Sequence, residues 1–378
     1  MRIGIDGRFL ATARGIGGYV YELLQAYAET TRDFTIAVYT DSNAAQRDVP
    51  KDARFTSRVL KPHVYPLWEQ IALPFAAARD KLDVLHCTGN TAPVTGLGAI
   101  PLVLTVHDAM FRMPPRIVPA GTTAFERAQR AYYSCVSPRA AHRAAAIITD
   151  SLRSKSDLNQ YLGLEPARMT VIHLAPRSPF RPLSVADAER SKEKFGIGGE
   201  YFLAMAALDP RKNTERLIAA YAMSGLSQAV KLVLCGAGSS LIGRLKRRLP
   251  SEYFTGVVTL PYVDDADLAA LLNGCLSFIY PSHYEGFGLP VVEAMRCGAA
   301  VICAKAGALD EVAGTAALYV DPLSQASIAA AMVRVHDDPQ VVTGLRERAR
   351  AFVQRYSWQS TAVKTLQVYD SVLQRSGA

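Results

Sequence analysis

The sequence predicts an α/β protein of two domains, each built on a parallel sheet. Three observations predict it. The chain has 378 residues, a length that suits about two domains. Short apolar runs alternate with helical stretches, the pattern of parallel sheets. A strand, a glycine loop and a helix start also follow one another twice, near the N-terminus and near residue 280.

Composition excludes several classes. Hydrophobic residues make up 49% and are spread evenly, so large cores are expected and disorder is not. No apolar run reaches the roughly 18 residues of a spanning helix. The chain opens directly on a strand, with no signal-peptide pattern expected. Cys87, Cys135, Cys235, Cys275, Cys297 and Cys303 lack metal-site spacing and read as small buried hydrophobes in a reducing cytoplasm. The formal charge of +8 favours anionic partners: nucleotide phosphates, an anionic membrane surface or nucleic acid. No nucleic-acid module is recognisable, so no nucleic-acid partner is expected.

The first domain is expected over residues 1–176. Residues 2–6 form a buried strand. Arg8 to Gly18 then form a loop holding Gly15, Gly17 and Gly18, and a helix runs from about Tyr19 to Glu29. That layout suits a phosphate, and a simple tight turn fits it as well. Strands follow at about 34–40, 83–87 and 102–106. Thr105-Val106-His107-Asp108 sits at the carboxyl end of the last of these, where doubly wound sheets place ligands. Ile147 to Asp150 reads as a strand end with a serine helix cap, and a strand around 169–173 closes the domain. Between Arg112 and Lys155 basic residues recur, among them Arg116, Arg127, Arg130, Arg139, Arg143 and Arg153. Two readings fit: a solvated helix face, or a patch for an anionic membrane surface.

Ala175-Pro-Arg-Ser-Pro-Phe-Arg-Pro182 reads as a linker, because prolines at this density prevent regular structure. The second domain, 177–355, is expected to carry strands near 201–206, 231–235, 257–260, 275–280 and 300–303. Asp209-Pro-Arg211-Lys212-Asn213 opens a helix, and its two cations could hold a diphosphate. A helical run covers about 341–378. Two patterns mislead. Cys235-Gly236-Ala-Gly238 lacks the third glycine of a nicotinamide fingerprint. Asp265-Ala-Asp267 opens a helix, where carboxylates serve as caps, and no further ligand completes a metal site.

The most specific stretch is Tyr280-Pro-Ser-His-Tyr-Glu285-Gly-Phe-Gly-Leu-Pro290-Val-Val-Glu293-Ala-Met-Arg-Cys-Gly298. Pro281 ends a strand. Gly286 and Gly288 allow close approach or positive φ. Pro290 starts a helix and Gly298 ends it. The amides at that helix start suit a phosphate, and Glu293, placed in the first turn, can accept two hydrogen bonds from a ribose diol. Either Glu alone also fits a plainer role, as a dipole-favouring or solvated residue.

This string resembles the donor-site signature of the retaining glycosyltransferases of family 4, in which Glu, seven residues and a second Glu surround E-G-F-G-L-P; Glu285 and Glu293 match it without a gap. Gly15-Ile-Gly17, Trp68-Glu69-Gln70 with Leu73-Pro74, Asp83-Val-Leu-His86, and Val106-His107-Asp108 followed by Phe111 and Pro114-Pro115 resemble a branch rich in mannosyl- and rhamnosyltransferases. The resemblance implies the GT-B fold: two Rossmann-like domains with parallel sheets facing a central cleft, and a C-terminal helix, about 356–378, packed back on the first. It implies a donor site of Lys212, Arg211, Glu293, the amides of Gly286, Phe287, Gly288 and Leu289, those of Gly17 and Gly18, and base contacts near Tyr262 and Val263. The family's second cation usually stands five residues before the Lys; Ala207 occupies that place here. Glu285, with Phe287, is expected to face the sugar ring, and His107 to position or polarise it without acting as nucleophile.

The implied reaction moves a hexose, mannose from GDP-mannose, to a saccharide or lipid-linked saccharide acceptor, with a UDP-sugar as the alternative donor. No cofactor or metal is required, since fixed cations and amides neutralise the leaving diphosphate. A cytoplasmic enzyme is expected, with peripheral attachment to the inner membrane through Arg127, Arg130, Arg139 and Arg143. Three other classes compete. A glycoside hydrolase would leave the diphosphate binders unexplained. A sugar-nucleotide epimerase would share only fold and phosphate site. A non-catalytic basic binding protein would have no use for Glu285, Glu293, Lys212 and His107 together.

Overall fold

In the computed structural model, residues 1–12, 14–114, 118 and 124–376 are described; Pro115 and Arg116 lie outside them. The chain divides into two compact units. Unit 1 is Met1–Leu174 together with the segment from Ser357 onward, and unit 2 is Ala175–Tyr356.

Among its described residues unit 1 holds seven strands: β1 Arg2–Asp6, β2 Thr35–Thr40, β3 Phe55–Val59, β4 Val84–Cys87, β5 Leu102–Thr105, β6 Ala146–Thr149 and β7 Met169–Val171. They lie in the order β3-β2-β1-β4-β5-β6-β7 and every neighbouring pair is parallel. Ile5 sets the central register, opposite Val38 on one side and His86 on the other. β4 and β5 are buried along their whole length, as strands covered on both faces must be.

Unit 2 repeats the plan with β8 Glu200–Met205, β9 Val230–Cys235, β10 Val257–Leu260, β11 Ser277–Tyr280, β12 Val301–Ala304 and β13 Ala317–Val320, in the order β10-β9-β8-β11-β12-β13, again all parallel. Its core packs Phe202, Leu232, Leu234, Ile279 and Ile302 against Leu217, Ile218, Met332 and Val335 of flanking helices. Both sheets are doubly wound, with strand order reversing beside β1 and β8. Ligand sites are expected where the order turns, outside the strands' carboxyl ends.

Several expectations need correcting. The first helix is Ile16–Glu29, so Gly17 and Gly18 lie inside its first turn and not ahead of it. The run at 341–378 is two helices, Pro339–Val353 and Trp358–Ser376. Only the second belongs to unit 1, where the Tyr369 hydroxyl sits 3.0 Å from that of Tyr27 and 2.6 Å from His86 Nδ1, and Thr361 donates to the His173 carbonyl. Cys135 is exposed, unlike the other five cysteines. Among the described residues, no helix is long and apolar enough to cross a membrane.

Candidate active site

In unit 2, β11 runs into Pro281 and a loop whose shape depends on Gly288. Its φ is +108°, and a Cβ there would come within 2.6 Å of Leu309. The helix Leu289–Arg296 follows, with Pro290 in its first turn. Pro290 has no N–H and the Val291 amide donates to the Gly288 carbonyl at 2.9 Å, so the amides at Gly288 and Leu289 are what this helix start offers to an anion. Gly298 terminates the helix at φ +80°. Glu293 is the fifth helical residue, just past the first turn where it was expected, because the helix starts at Leu289, one residue before Pro290.

Glu285 ends the loop's descent from β11 and is nearly buried. It accepts from Lys212 Nζ at 2.8 Å, Tyr280 at 3.0 Å and Ser282 at 2.7 Å. Burial alone would raise its carboxyl, but Lys212 and Arg211 outweigh burial and hold it below the ordinary carboxylate range. Lys212 comes from the turn after β8. Burial opposes its charge too, and Tyr280 and Glu285 more than restore it, so its ammonium is held above the ordinary lysine value. The expected opening helix is a short 3-10 turn, Pro210–Lys212, followed by Asn213 at φ +59° and then the helix Thr214–Ser224. Arg211 forks onto Asp209 and donates to the Tyr284 carbonyl at 3.2 Å, leaving it 3.9 Å from Glu285. The Phe287 ring is buried edge-on against Tyr356, 5.8 Å away, so what faces a ligand there is main chain. Tyr262 is exposed and Val263 buried in the loop after β10.

Glu293 is held by a residue the sequence did not single out. Arg177, in the proline-rich segment, donates from Nε to Glu293 at 2.6 Å and from Nη1 to Asp265 at 2.6 Å. All three belong to unit 2, so the segment read as a linker is pinned into it. Burial would lower the Arg177 pKa, but Glu293 and Asp265 raise it. A carboxylate offers about four acceptor positions, so the Arg177 bond orients Glu293 without filling it. Asp265 therefore serves an ion pair, and Asp267 bonds Ser191 and Lys194. Among the described residues no three His, Cys, Asp or Glu side chains are grouped to hold a metal.

In unit 1 the strand ends gather the Gly17 turn, Thr88, Asn90, His107 and Asp150. Gly17 has no alternative: a Cβ would fall 1.8 Å from the Thr12 carbonyl oxygen. His107 Nδ1 lies 2.7 Å from Asp150 Oδ2, and Nε2 lies 2.9 Å from the Thr88 carbonyl oxygen. Its main-chain amide donates to Asn90 Oδ1. A carbonyl and a carboxylate only accept, so this arrangement needs a proton on both ring nitrogens. Burial would lower the ring's pKa; Asp150 and the Thr88 bond reverse that and raise it. Asp150 had read only as a strand end.

The basic segment is heterogeneous. Arg127, Arg139 and Arg143 are exposed. Arg130 is turned inward, donating to the Met113 carbonyl at 2.6 Å and the Val118 carbonyl at 3.2 Å. Arg153 pairs with Asp157 one turn on.

Comparison with known proteins places the chain among glycosyltransferases. The family model described as Glycosyltransferase Family 4 matches residues 13–175, and that described as Glycosyl transferases group 1 matches residues 186–352. O-antigen chain mannosyltransferase B of Escherichia coli is 30% identical over 232 residues, which are 60% of this chain and 60% of that protein; the chain thus matches less than two thirds of that relative's length. MMP alpha-(1->4)-mannosyltransferase of Mycolicibacterium hassiacum is 29% identical over 341 residues, 86% of this chain and 78% of the relative. Among solved structures, sucrose-phosphate synthase from Thermosynechococcus elongatus superposes with a TM-score of 0.77 at 21% identity, covering 99% of this chain and all of that one, a likeness of fold. With both domain models matched in order and this fold, the chain belongs to glycosyltransferase family 4 and has the GT-B fold.

Proposed function

We propose that the protein is a retaining glycosyltransferase that moves mannose from GDP-mannose to a saccharide or lipid-linked saccharide acceptor in polysaccharide or glycolipid synthesis. The observation that carries the reading is the buried Lys212–Glu285 pair where the strand order of unit 2 turns. Lys212, Arg211 and the amides opening the helix Leu289–Arg296 are fixed positive groups suited to a leaving diphosphate. An ionised Glu285 can accept from sugar hydroxyls and cannot serve as a proton donor at neutral pH. That disfavours a glycoside hydrolase, whose acid needs a raised pKa. Glu293, oriented by Arg177, takes the ribose hydroxyls. His107, as a fixed cation in unit 1, positions or polarises the sugar.

Mannose is favoured because both relatives are named as mannosyltransferases. A UDP-sugar is the second reading, since the expected base contacts at Tyr262 and Val263 are largely main chain. A thermal-shift and turnover screen over GDP- and UDP-sugars tests the assignment, with the product anomer read by NMR. GDP-mannose should stabilise most and give an acceptor-dependent α-linked product. Acceptor-independent conversion of the donor would instead mark an epimerase.

Lys212→Ala should weaken nucleoside diphosphates far more than monophosphates in calorimetry, because Lys212 addresses the second phosphate. Equal loss for both would remove it from that role. The reading requires no metal, so turnover should persist in excess EDTA; abolition by EDTA with rescue by Mg²⁺ or Mn²⁺ would contradict it. Asp150→Asn should lower the pH at which His107 loses its ring proton, read from its ring ¹⁵N shifts. The sign for stability follows. A raised folded pKa stabilises below the unfolded value of about 6.5, and the gain disappears as pH rises through the folded value. Wild type should therefore lose stability above about pH 6.5 relative to Asp150→Asn, and parallel curves would refute the pairing.

The reading places the enzyme in the cytoplasm, working at the inner membrane surface, with Arg127, Arg139 and Arg143 facing anionic lipid.

A further inference from the structure

Four large apolar side chains of unit 1 stand in water, three along one helical rod and one at its N-cap. The rod comprises Tyr65–Leu67, the π-helical turn Trp68–Ala72 and Leu73–Arg79. Val64 is 58% exposed, Leu67 44%, Ile71 61% and Phe75 73%. Leu67, Ile71 and Phe75 recur at four-residue spacing over about 12 Å of rod, and Val64 precedes them as the extended residue at its N-cap. The other side is committed to the interior. Trp68, Leu73, Ala76 and Ala77 are buried there, and Glu69 accepts from Arg8, Thr91 and Tyr132. The stripe is thus the outer face of a firmly seated helix and not a frayed segment.

Charge decides what covers it. From Lys61 to Arg79 the only carboxylate is Glu69, and it is fully buried. The exposed ionisable groups over that stretch are Lys61 and His63 at one end and Arg79 at the other; just beyond it Asp80 pairs with Arg79 and Arg58, and Lys81 and Asp83 are exposed. An apolar row bounded by cations and lacking exposed anions along its length fits an anionic bilayer, where the cations meet headgroups and the row enters the acyl boundary. A second copy of the chain fits poorly. The row presents on the order of 450 Å², against roughly 800 Å² per partner in a stable interface. Two copies would also bring like-charged ends together.

We propose that the face Val64–Leu67–Ile71–Phe75 is a membrane-insertion surface specific for anionic lipid. It deepens the reading of an enzyme acting on a lipid-linked acceptor, and it differs from attachment by the arginine segment alone. Arginine attachment is wholly electrostatic and vanishes in high salt; insertion leaves a salt-resistant part.

The test uses the full chain with no sugar donor, so its outcome is separate from that of sugar transfer. Vesicles of phosphatidylcholine alone, and mixed with phosphatidylglycerol, are sedimented with the protein at low and high salt. Binding to the mixed vesicles, partly retained at high salt, is expected, and little to phosphatidylcholine. The triple variant Leu67→Ser, Ile71→Ser, Phe75→Ser should lose about tenfold or more of that partitioning. These positions face solvent, so its thermal unfolding should match wild type. As a second readout, Phe75→Trp should show a blue-shifted emission on mixed vesicles, since Trp68 and Trp358 are buried. Wild-type partitioning by the triple variant, or an unmoved emission from Phe75→Trp, overturns the proposal. So does a dimer in sedimentation equilibrium that the triple variant abolishes while vesicles fail to bind.

Discussion

Glu285→Gln is expected to leave unit 2 folded and to cut kcat by about 10²–10³-fold, the usual loss when one preorganised charged contact is removed from an active site. Tyr280 and Ser282 can still donate to an amide oxygen, so the loop keeps its partners. Lys212 donates to that same oxygen, so it keeps a neutral acceptor but loses the charge that restrains it. Lys212 then explores positions away from the diphosphate, and the hydroxyls of the sugar lose a charged acceptor. Both losses weigh more in the transition state, so kcat should fall further than donor affinity measured by calorimetry. Turnover at the wild-type rate would remove Glu285 from the catalytic set.

Arg177→Ala should be the most damaging single change to the stability of unit 2. The guanidinium is buried between Glu293 and Asp265, with side chains 6%, 5% and 21% exposed. Removing one partner of a buried pair typically costs ~3–5 kcal/mol, because the remaining charge is stranded. For a unit of this size that corresponds to a fall in Tm on the order of 10 °C. Nucleotide affinity should fall as well, since Glu293 loses the bond that orients it. Adding Glu293→Ala to Arg177→Ala should then cost much less stability than the two single losses summed, which a double-mutant cycle would read directly. Additive losses would mean the pair is not coupled.

The sequence was legible where one residue type performs one local task. Apolar runs marked eleven of the thirteen strands among the described residues. The two it missed, β3 and β13, are edge strands: β3 alternates exposed and covered side chains, and β13 is a four-residue apolar run that is largely half-buried. The Glu285 string was legible because glycine, proline and carboxylate each have a distinct local mechanical role. Arg177 and Asp150 were not, because each acts through a partner brought in by the fold; Tyr280 and Ser282 stood inside that string without any sign that their hydroxyls converge on Glu285. Arg177 lies 116 positions from Glu293, and its proline neighbours signalled irregular backbone while saying nothing of where it docks. The offset in Glu293 has a smaller cause: the helix begins one residue before its proline.

The helix Trp358–Ser376 has a consequence for how the protein is made. Unit 2 is inserted, in chain order, into unit 1: the ribosome must complete residues 175–356 before the segment that finishes the earlier sheet emerges. Until then the Tyr27 hydroxyl and His86 Nδ1 lack Tyr369, and Tyr19 lacks Trp358 beside it. Unit 2 can therefore close first during synthesis, while the N-terminal half waits as an incomplete body with apolar surface open to chaperones. A nonsense change anywhere between 357 and 369 would strand that half permanently, so even a late truncation should yield insoluble protein.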